Sequence, residues 1–154
     1  MMEAVRGDTM ETDPHDLTRF TKAQDGVYAH ALAELTTGHK RTHWMWFIFP
    51  QAKGLGSSYQ STLYGIGSLA EARAYLAHPV LGPRLVECTE TLLKHDDLSA
   101  VDILGDVDAV KLRSSLTLFN RVAPAGTVFR RGLERFFGGH EDERTVAILG
   151  AWTE

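Results

Sequence analysis

The residues best suited to chemistry lie in one stretch of the chain, between residues 38 and 58. Two cations precede two tryptophans there, and a glycine-rich loop with serines follows. Cations and the backbone N–H groups of such a loop attract anions, and an exposed indole offers a face on which a flat ring can stack. The stretch predicts a site for a phosphate-bearing aromatic ligand, with the candidate ligand-binding residues Lys40, Arg41, His43, Trp44, Trp46, Gln51, Gly56 and Ser57.

A blander interpretation of the same stretch stays open. The loop lacks the G-x-x-x-x-G-K-[ST] pattern of a phosphate-binding loop, and no predicted strand precedes it. In this interpretation the stretch contains a surface loop whose serine caps a helix, and both tryptophans fill the core.

A second set of polar residues lies on one predicted helix. Lys111 stands three residues before Ser114 and four before Ser115, and this spacing places the side chains on adjoining rows of a helix. A lysine beside a serine can activate the hydroxyl as a nucleophile, and a histidine that opens onto a cleft can act as an acid or base. The catalytic candidates are therefore His43, Lys111, Ser114 and Ser115. Alternatively, the lysine stem covers apolar surface and the serines donate to carbonyls of the preceding turn.

Histidine and cysteine do not form a recognisable metal site in the sequence. His39 and His43 have the spacing of a helical metal-binding pair, but two cations lie between them and no third ligand stands at a recognisable distance. Cys88 shares the apolar stripe of its predicted helix, which indicates a small buried hydrophobic residue. We therefore expect no metal and no cofactor.

Helices must position these candidates, because apolar residues recur at helical spacing and no useful period-two alternation appears. The predicted helices cover residues 16–36, 59–64, 69–77, 81–95, 100–104, 107–122, 128–137 and 143–149. A short apolar run within residues 42–49 fits either a buried strand or a buried helical turn. Helix caps are expected at Asp13, Ser68, Ser99, Asp106 and Asp142, and His78 is expected to cap the carbonyls of the helix before it. The fold class is all-α, with about six to eight helices and short loops in a single compact domain.

Length and composition fit one ordinary globular domain. The chain has 154 residues, and its 16 basic and 20 acidic side chains give a net charge of −4 at pH 7. We expect residues 1–13 to be a frayed leader and residues 14–154 to form the helical domain. The longest apolar run is far shorter than the about 20 residues of a membrane span, so we expect a cytoplasmic protein without membrane contact. The negative charge counts against nucleic acid as a partner.

Several strings in the chain together resemble a bacterial family, the domain of unknown function 1810. The most specific string is KRTHWMWFIFPQ at residues 40–51, and the others are GLG at 54–56, EARAYL at 71–76, HPVLG at 78–82 and KLRSSLTLF at 111–119. The resemblance implies a mainly α-helical fold and brings no established reaction. Some members carry the label calpastatin-like, which does not suit a compact chain because the inhibitory segments of calpastatin are disordered.

The resemblance also marks polar positions within the family pattern. These positions are His43, Trp44, Trp46, Gln51, Lys111, Ser114, Ser115 and Thr117, and Thr117 is a further candidate ligand-binding residue. One departure is the pair Ser57 and Ser58, where a single serine preceded by a basic residue is expected, and this weakens the interpretation of the loop as an anion site.

Two functions of different classes follow. The leading hypothesis is a pocket, built from residues 43–51 and 111–117, that binds a small phosphorylated or nucleotide-like metabolite and hydrolyses or transfers part of it. The alternative is a protein-interaction module with an aromatic docking patch and no catalysis. Trp44 and Trp46 distinguish the two, because tryptophans in a concave cleft favour a ligand and tryptophans on a flat exposed patch favour a partner.

Overall fold

The fold is all-α in this computed structural model, which describes residues 13–152. Within that range the ten helices are α1 Thr18–Gln24, α2 Tyr28–Thr37, α3 Met45–Ile48, α4 Tyr59–Leu63, α5 Leu69–Ala77, α6 Leu81–Leu93, α7 Ala100–Leu104, α8 Asp106–Val122, α9 Val128–Phe137 and α10 Glu143–Ala151. Apart from one isolated parallel bridge, the described residues contain no β-pairing. The predicted leader lies outside the described residues except for Asp13. None of the helices in the described range is long and apolar enough to cross a membrane.

The helix count exceeds the expected six to eight for two reasons. The helix predicted over 16–36 is wrong as a single element, because the chain breaks between α1 and α2, where Gly26 adopts a φ of +73°. A left-handed residue stops a helix, and glycine adopts that conformation without steric cost. The ambiguous run within 42–49 is the short helix α3, so the strand alternative is wrong.

Three of the six predicted caps are confirmed. The hydroxyls of Ser68 and Ser99 and the carboxylate of Asp142 each accept a backbone N–H in the first turn of the helix that follows. The other three cap predictions are wrong. The N-cap of α1 is Leu17 and not Asp13, although the Asp13 carboxylate accepts the N–H groups of Leu17 and Thr18. Asp106 is the first residue of α8, whose N-cap is Gly105. His78 does not cap the carbonyls before it, because its Nδ1 accepts the N–H groups at the start of the next helix.

The core is built around α8, which packs against α5, α7, α9 and α10. The predicted inward residues Leu112, Leu116 and Phe119 are all buried. Phe119 lies 5.3 Å from Tyr75 of α5 and 5.9 Å from Phe129 of α9, measured between ring centroids. This packing holds the C-terminal half of α8 inside the protein and leaves its first turns at the surface.

A loop between α3 and α5 is closed by its own backbone. Lys53 N–H donates to the Ile66 carbonyl over 2.8 Å, and Ile66 N–H donates to the Gln51 carbonyl over 2.9 Å. Gly65 permits this approach, because a Cβ there would stand 2.8 Å from the Lys53 backbone. The guanidinium of Arg19 then ties the end of the loop to the protein, since it donates to the carbonyls of residues 63 and 65. The loop is thus pinned at both ends, and it forms one wall of the pocket described below.

Candidate functional site

A pocket of about 370 Å³ opens where the closed loop meets the exposed first turns of α8 and the start of α10. Its apolar walls come from Trp46, Ala52, Leu55, Tyr64, Val107 and Val110. Apolar atoms make up most of the lining surface, and the polar and charged side chains are Gln51, Ser61, Lys111, Ser114, Asp142 and Arg144, with Gly56 and Gly65 completing the lining. A mostly apolar cavity with a few convergent polar groups is the usual form of a small-molecule site.

One stripe of α8 supplies a wall of this pocket. Val107, Val110, Lys111 and Ser114 lie three, four and seven residues apart along the helix, so their side chains share a face. The two valines are unusual for a folded domain, because they remain 69% and 61% exposed. The same helix therefore has two apolar faces, one buried in the core and one turned to the pocket mouth.

The charge of the pocket is concentrated at Lys111. Its ammonium lies 3.9 Å from the centroid of the Trp46 ring, a cation–π contact, and 3.2 Å from Oδ1 of Asp108. The other carboxylate oxygen of Asp108 accepts from Lys40 over 2.8 Å. Two lysines therefore share one carboxylate, and the cluster holds one surplus positive charge. At most 19% of each of the three side chains is exposed, so water screens that surplus only in part.

The two lysines also set the protonation of the shared carboxyl. Burial by itself would raise the pKa of Asp108, but the hydrogen bonds and positive charges of Lys40 and Lys111 outweigh burial and lower this pKa. The carboxylate is therefore ionised at neutral pH and acts as a fixed anchor. It holds the loop before α3 against α8, together with the bond from Lys40 N–H to the Ile103 carbonyl.

The start of α10 forms the wall that faces the loop. Asp142 caps α10 through bonds to the N–H and hydroxyl of Thr145. Asp142 N–H in turn donates to the hydroxyl of Thr117 over 2.9 Å, so the buried Thr117 positions this wall from α8. Arg144 donates to the Leu55 carbonyl over 2.7 Å and fastens the tip of the closed loop to α10.

Trp44 and Trp46 have different roles although only one residue separates them. Trp44 is fully buried, and its indole N–H donates to Glu34, whose carboxylate also accepts the N–H groups of Arg41 and Thr42 and the Thr42 hydroxyl. Burial would raise the pKa of Glu34, but these four hydrogen bonds outweigh burial and lower it to about 2. The ionised Glu34 thus holds the backbone that enters α3, and this turn directs Trp46 to the pocket.

The sequence and fold comparisons agree on relatives of this chain. Residues 14–149 match the profile of the family described as "Protein of unknown function (DUF1810)". The chain belongs to the DUF1810 family. It is similar to a conserved hypothetical protein, Rv1873 from Mycobacterium tuberculosis, whose crystal structure matches with a TM-score of 0.88 at 51% sequence identity, over 90% of this chain and 99% of that one. No curated protein matches the chain.

In this DUF1810 protein the structure brings five of the sequence-derived candidates together. They line the pocket and are Trp46, Gln51, Gly56, Lys111 and Ser114. Lys40 lies behind the wall and reaches the site through Asp108. The remaining candidates do not line it: Arg41, His43 and Ser57 are exposed, and Trp44, Ser115 and Thr117 are buried.

The geometry around the serines of the DUF1810 pocket favours binding over nucleophilic attack. The Ser114 hydroxyl donates to the Val110 carbonyl over 3.2 Å, as the blander interpretation of this helix expected. The Lys111 ammonium contacts the Asp108 carboxylate and the Trp46 ring, so it is engaged with groups other than the serine. Burial raises the pKa of the Cys88 thiol to about 12, so this sulfur is not a nucleophile. Across residues 13–152 no three His, Cys, Asp or Glu side chains are placed to hold a metal ion.

Sequence reasoning missed several residues that shape the pocket. Val107, Asp108 and Val110 could have been found from the sequence, because they stand four, three and one positions before Lys111 on the same predicted helix. Asp142 and Arg144 could not be predicted from the sequence, since only the packing of α10 on α8 and on the loop brings them to the site.

Proposed function

We propose that this protein binds a small organic anion with a flat ring, of the nucleotide-like class, in the pocket beside Trp46. The observation that carries the proposal is the surplus positive charge at Lys111, which lies against an indole inside a concave, mostly apolar pocket. Two partly buried cations that share one carboxylate are stabilised by a further anion, and apolar walls stabilise the remainder of an organic ligand.

The position of Lys111 implies a ligand with two parts, one anionic and one flat or apolar. Its ammonium is the point of contact for the anionic group, while the Trp46 ring and Leu55 accept a ring or other apolar body. Gln51, Ser61 and the backbone around Gly56 supply the hydrogen-bonding groups that orient such a ligand. The proposal is limited to binding, because the serine and lysine of the pocket are already engaged with other groups.

The test is a titration of the full chain with 3′,5′-cyclic AMP, AMP, ADP-ribose and NAD, followed by tryptophan fluorescence and by thermal unfolding. We expect a fluorescence change that Trp46→Phe abolishes and that Trp152→Phe retains, because Trp152 does not line the pocket. Binding by any of these ligands also raises Tm, and the rise grows with the logarithm of ligand concentration.

A matched pair of lysine variants locates the anion contact. Lys111→Met keeps most of the apolar stem and removes the charge, so we expect it to weaken binding about 10-fold to 100-fold, as the loss of a charge-assisted contact does. Lys94→Met removes an exposed lysine at the end of α6 and leaves the affinity unchanged. The proposal fails if no ligand of the panel gives a fluorescence or thermal response, or if both variants bind as the wild type does.

A further inference from the structure

We infer that the ligand carries one negative charge and that the rest of it presents an apolar surface, part of which rests on Val107 and Val110. This inference rests on the proposed function and names the chemical class within it, an organic monoanion such as a carboxylate, sulfonate or phosphodiester. It goes beyond the presence of a pocket, because it predicts which anions the site rejects.

The formal charges around the pocket set the charge of the ligand. Three charged side chains line it, the cations Lys111 and Arg144 and the anion Asp142, and together they leave one positive charge. Behind the wall Lys40 and Asp108 cancel each other. A second negative charge on the ligand therefore exceeds the net positive charge of the pocket and is repelled by Asp142.

The exposed valines indicate the nature of the remaining surface. Val107 and Val110 are among the most exposed large hydrophobic residues of the described chain, and both line the pocket. They share the α8 stripe with Lys111, so a ligand whose anionic group contacts Lys111 covers them with its body. Burial of this valine surface stabilises the apolar or flat-ring part of the ligand.

A matched set of naphthalene probes separates charge from bulk. The probes are 1-naphthalenemethanol, naphthalene-1-sulfonate, naphthalene-1,5-disulfonate and 5-(methylsulfonyl)naphthalene-1-sulfonate, whose sulfone matches the second sulfonate in size without its charge. We expect naphthalene-1-sulfonate to bind about tenfold more tightly than the neutral alcohol by calorimetry. The disulfonate is expected to bind no more tightly than the sulfone. A disulfonate that binds tenfold more tightly than the sulfone overturns the inference and leaves the proposed function standing.

Two valine variants test the apolar contact. Val110→Ser is expected to weaken binding of naphthalene-1-sulfonate about threefold to tenfold. Val101→Ser is the control, because Val101 on α7 is 49% exposed and does not line the pocket. If Val110→Ser and Val101→Ser bind naphthalene-1-sulfonate with equal affinity, the inferred contact between the ligand and α8 is wrong. If neither the naphthalene sulfonates nor the nucleotide panel bind to the wild type, the proposed function fails and this inference fails with it.

Discussion

Replacement of Glu34 by glutamine tests how the turn that presents Trp46 is held. The Glu34 carboxylate accepts four hydrogen bonds, from the N–H groups of Arg41 and Thr42, the Thr42 hydroxyl and the Trp44 indole. A folded-state pKa of about 2 against the ordinary 4.5 corresponds to about 3 kcal/mol of folding free energy. Solvent screening at this partly exposed group reduces that figure to about 1–2 kcal/mol.

The sign of the pH dependence follows from the lowered pKa. The contribution of Glu34 is complete above pH 4.5 and is lost as the pH falls toward 2, because the protonated carboxyl no longer has a charge for the four donors to stabilise. Glu34→Gln has the same size and no charge, so it removes this contribution at neutral pH and has little further to lose in acid. We expect urea unfolding to show a deficit of about 1–2 kcal/mol at pH 6.5 that shrinks below pH 4.

Glu90→Gln is the control for this experiment, because Glu90 is an exposed glutamate on α6. Its unfolding free energy should stay within about 0.5 kcal/mol of the wild type at every pH. The reasoning is refuted if Glu34→Gln is as stable as this control at pH 6.5, or if its deficit is the same at pH 3 as at pH 6.5.

Three further substitutions and one control variant probe the core and the charge of the pocket. Ser115→Ala removes a buried hydroxyl without a hydrogen-bond partner in the described residues, so calorimetry should show a Tm higher by about 2–4 °C, and a lower Tm contradicts this. Gly82→Ala places a Cβ 2.1 Å from the Leu76 carbonyl oxygen and should cost about 3 kcal/mol in urea unfolding, whereas Gly150→Ala meets open space and should gain about 0.5–1 kcal/mol. Asp108→Asn raises the pocket charge to two, so naphthalene-1,5-disulfonate should bind about tenfold more tightly than to the wild type, and an unchanged affinity would count against the charge argument.

The sequence predicts the helices well, because their caps and stops are local. Ser99 and Asp142 precede helices that begin where the prediction places them, and Gly138 ends α9 in a left-handed conformation. The break at Gly26 was missed because the apolar stripe continues on both sides of it. The spacing of apolar residues indicates which residues face the core, but it does not show whether they belong to one helix or to two.

The candidate site could be predicted only in part, and the two tryptophans show why. Residues two positions apart share a face in a strand, whereas Trp44 at the N-cap of α3 and Trp46 in its first turn lie in different environments. The sequence left 42–49 open between strand and helix, and therefore left open which indole meets the pocket. Lys111 and Ser114 were found together because their spacing on α8 is local. Arg144 could not be predicted from the sequence, because only tertiary packing brings it to the site.

The closed loop between α3 and α5 has a consequence for how specificity can change. Its ends are joined by the hydrogen bonds of Ile66 with Gln51 and Lys53, and its tip is fastened to α10 through Leu55. Because the loop ends already meet, its length and composition can vary at little cost to the closure entropy and without moving the helices that hold Lys111. The loop is thus an exchangeable part of the pocket. Grafting a different loop between the same two ends offers a route to new ligands with the anion contact kept in place.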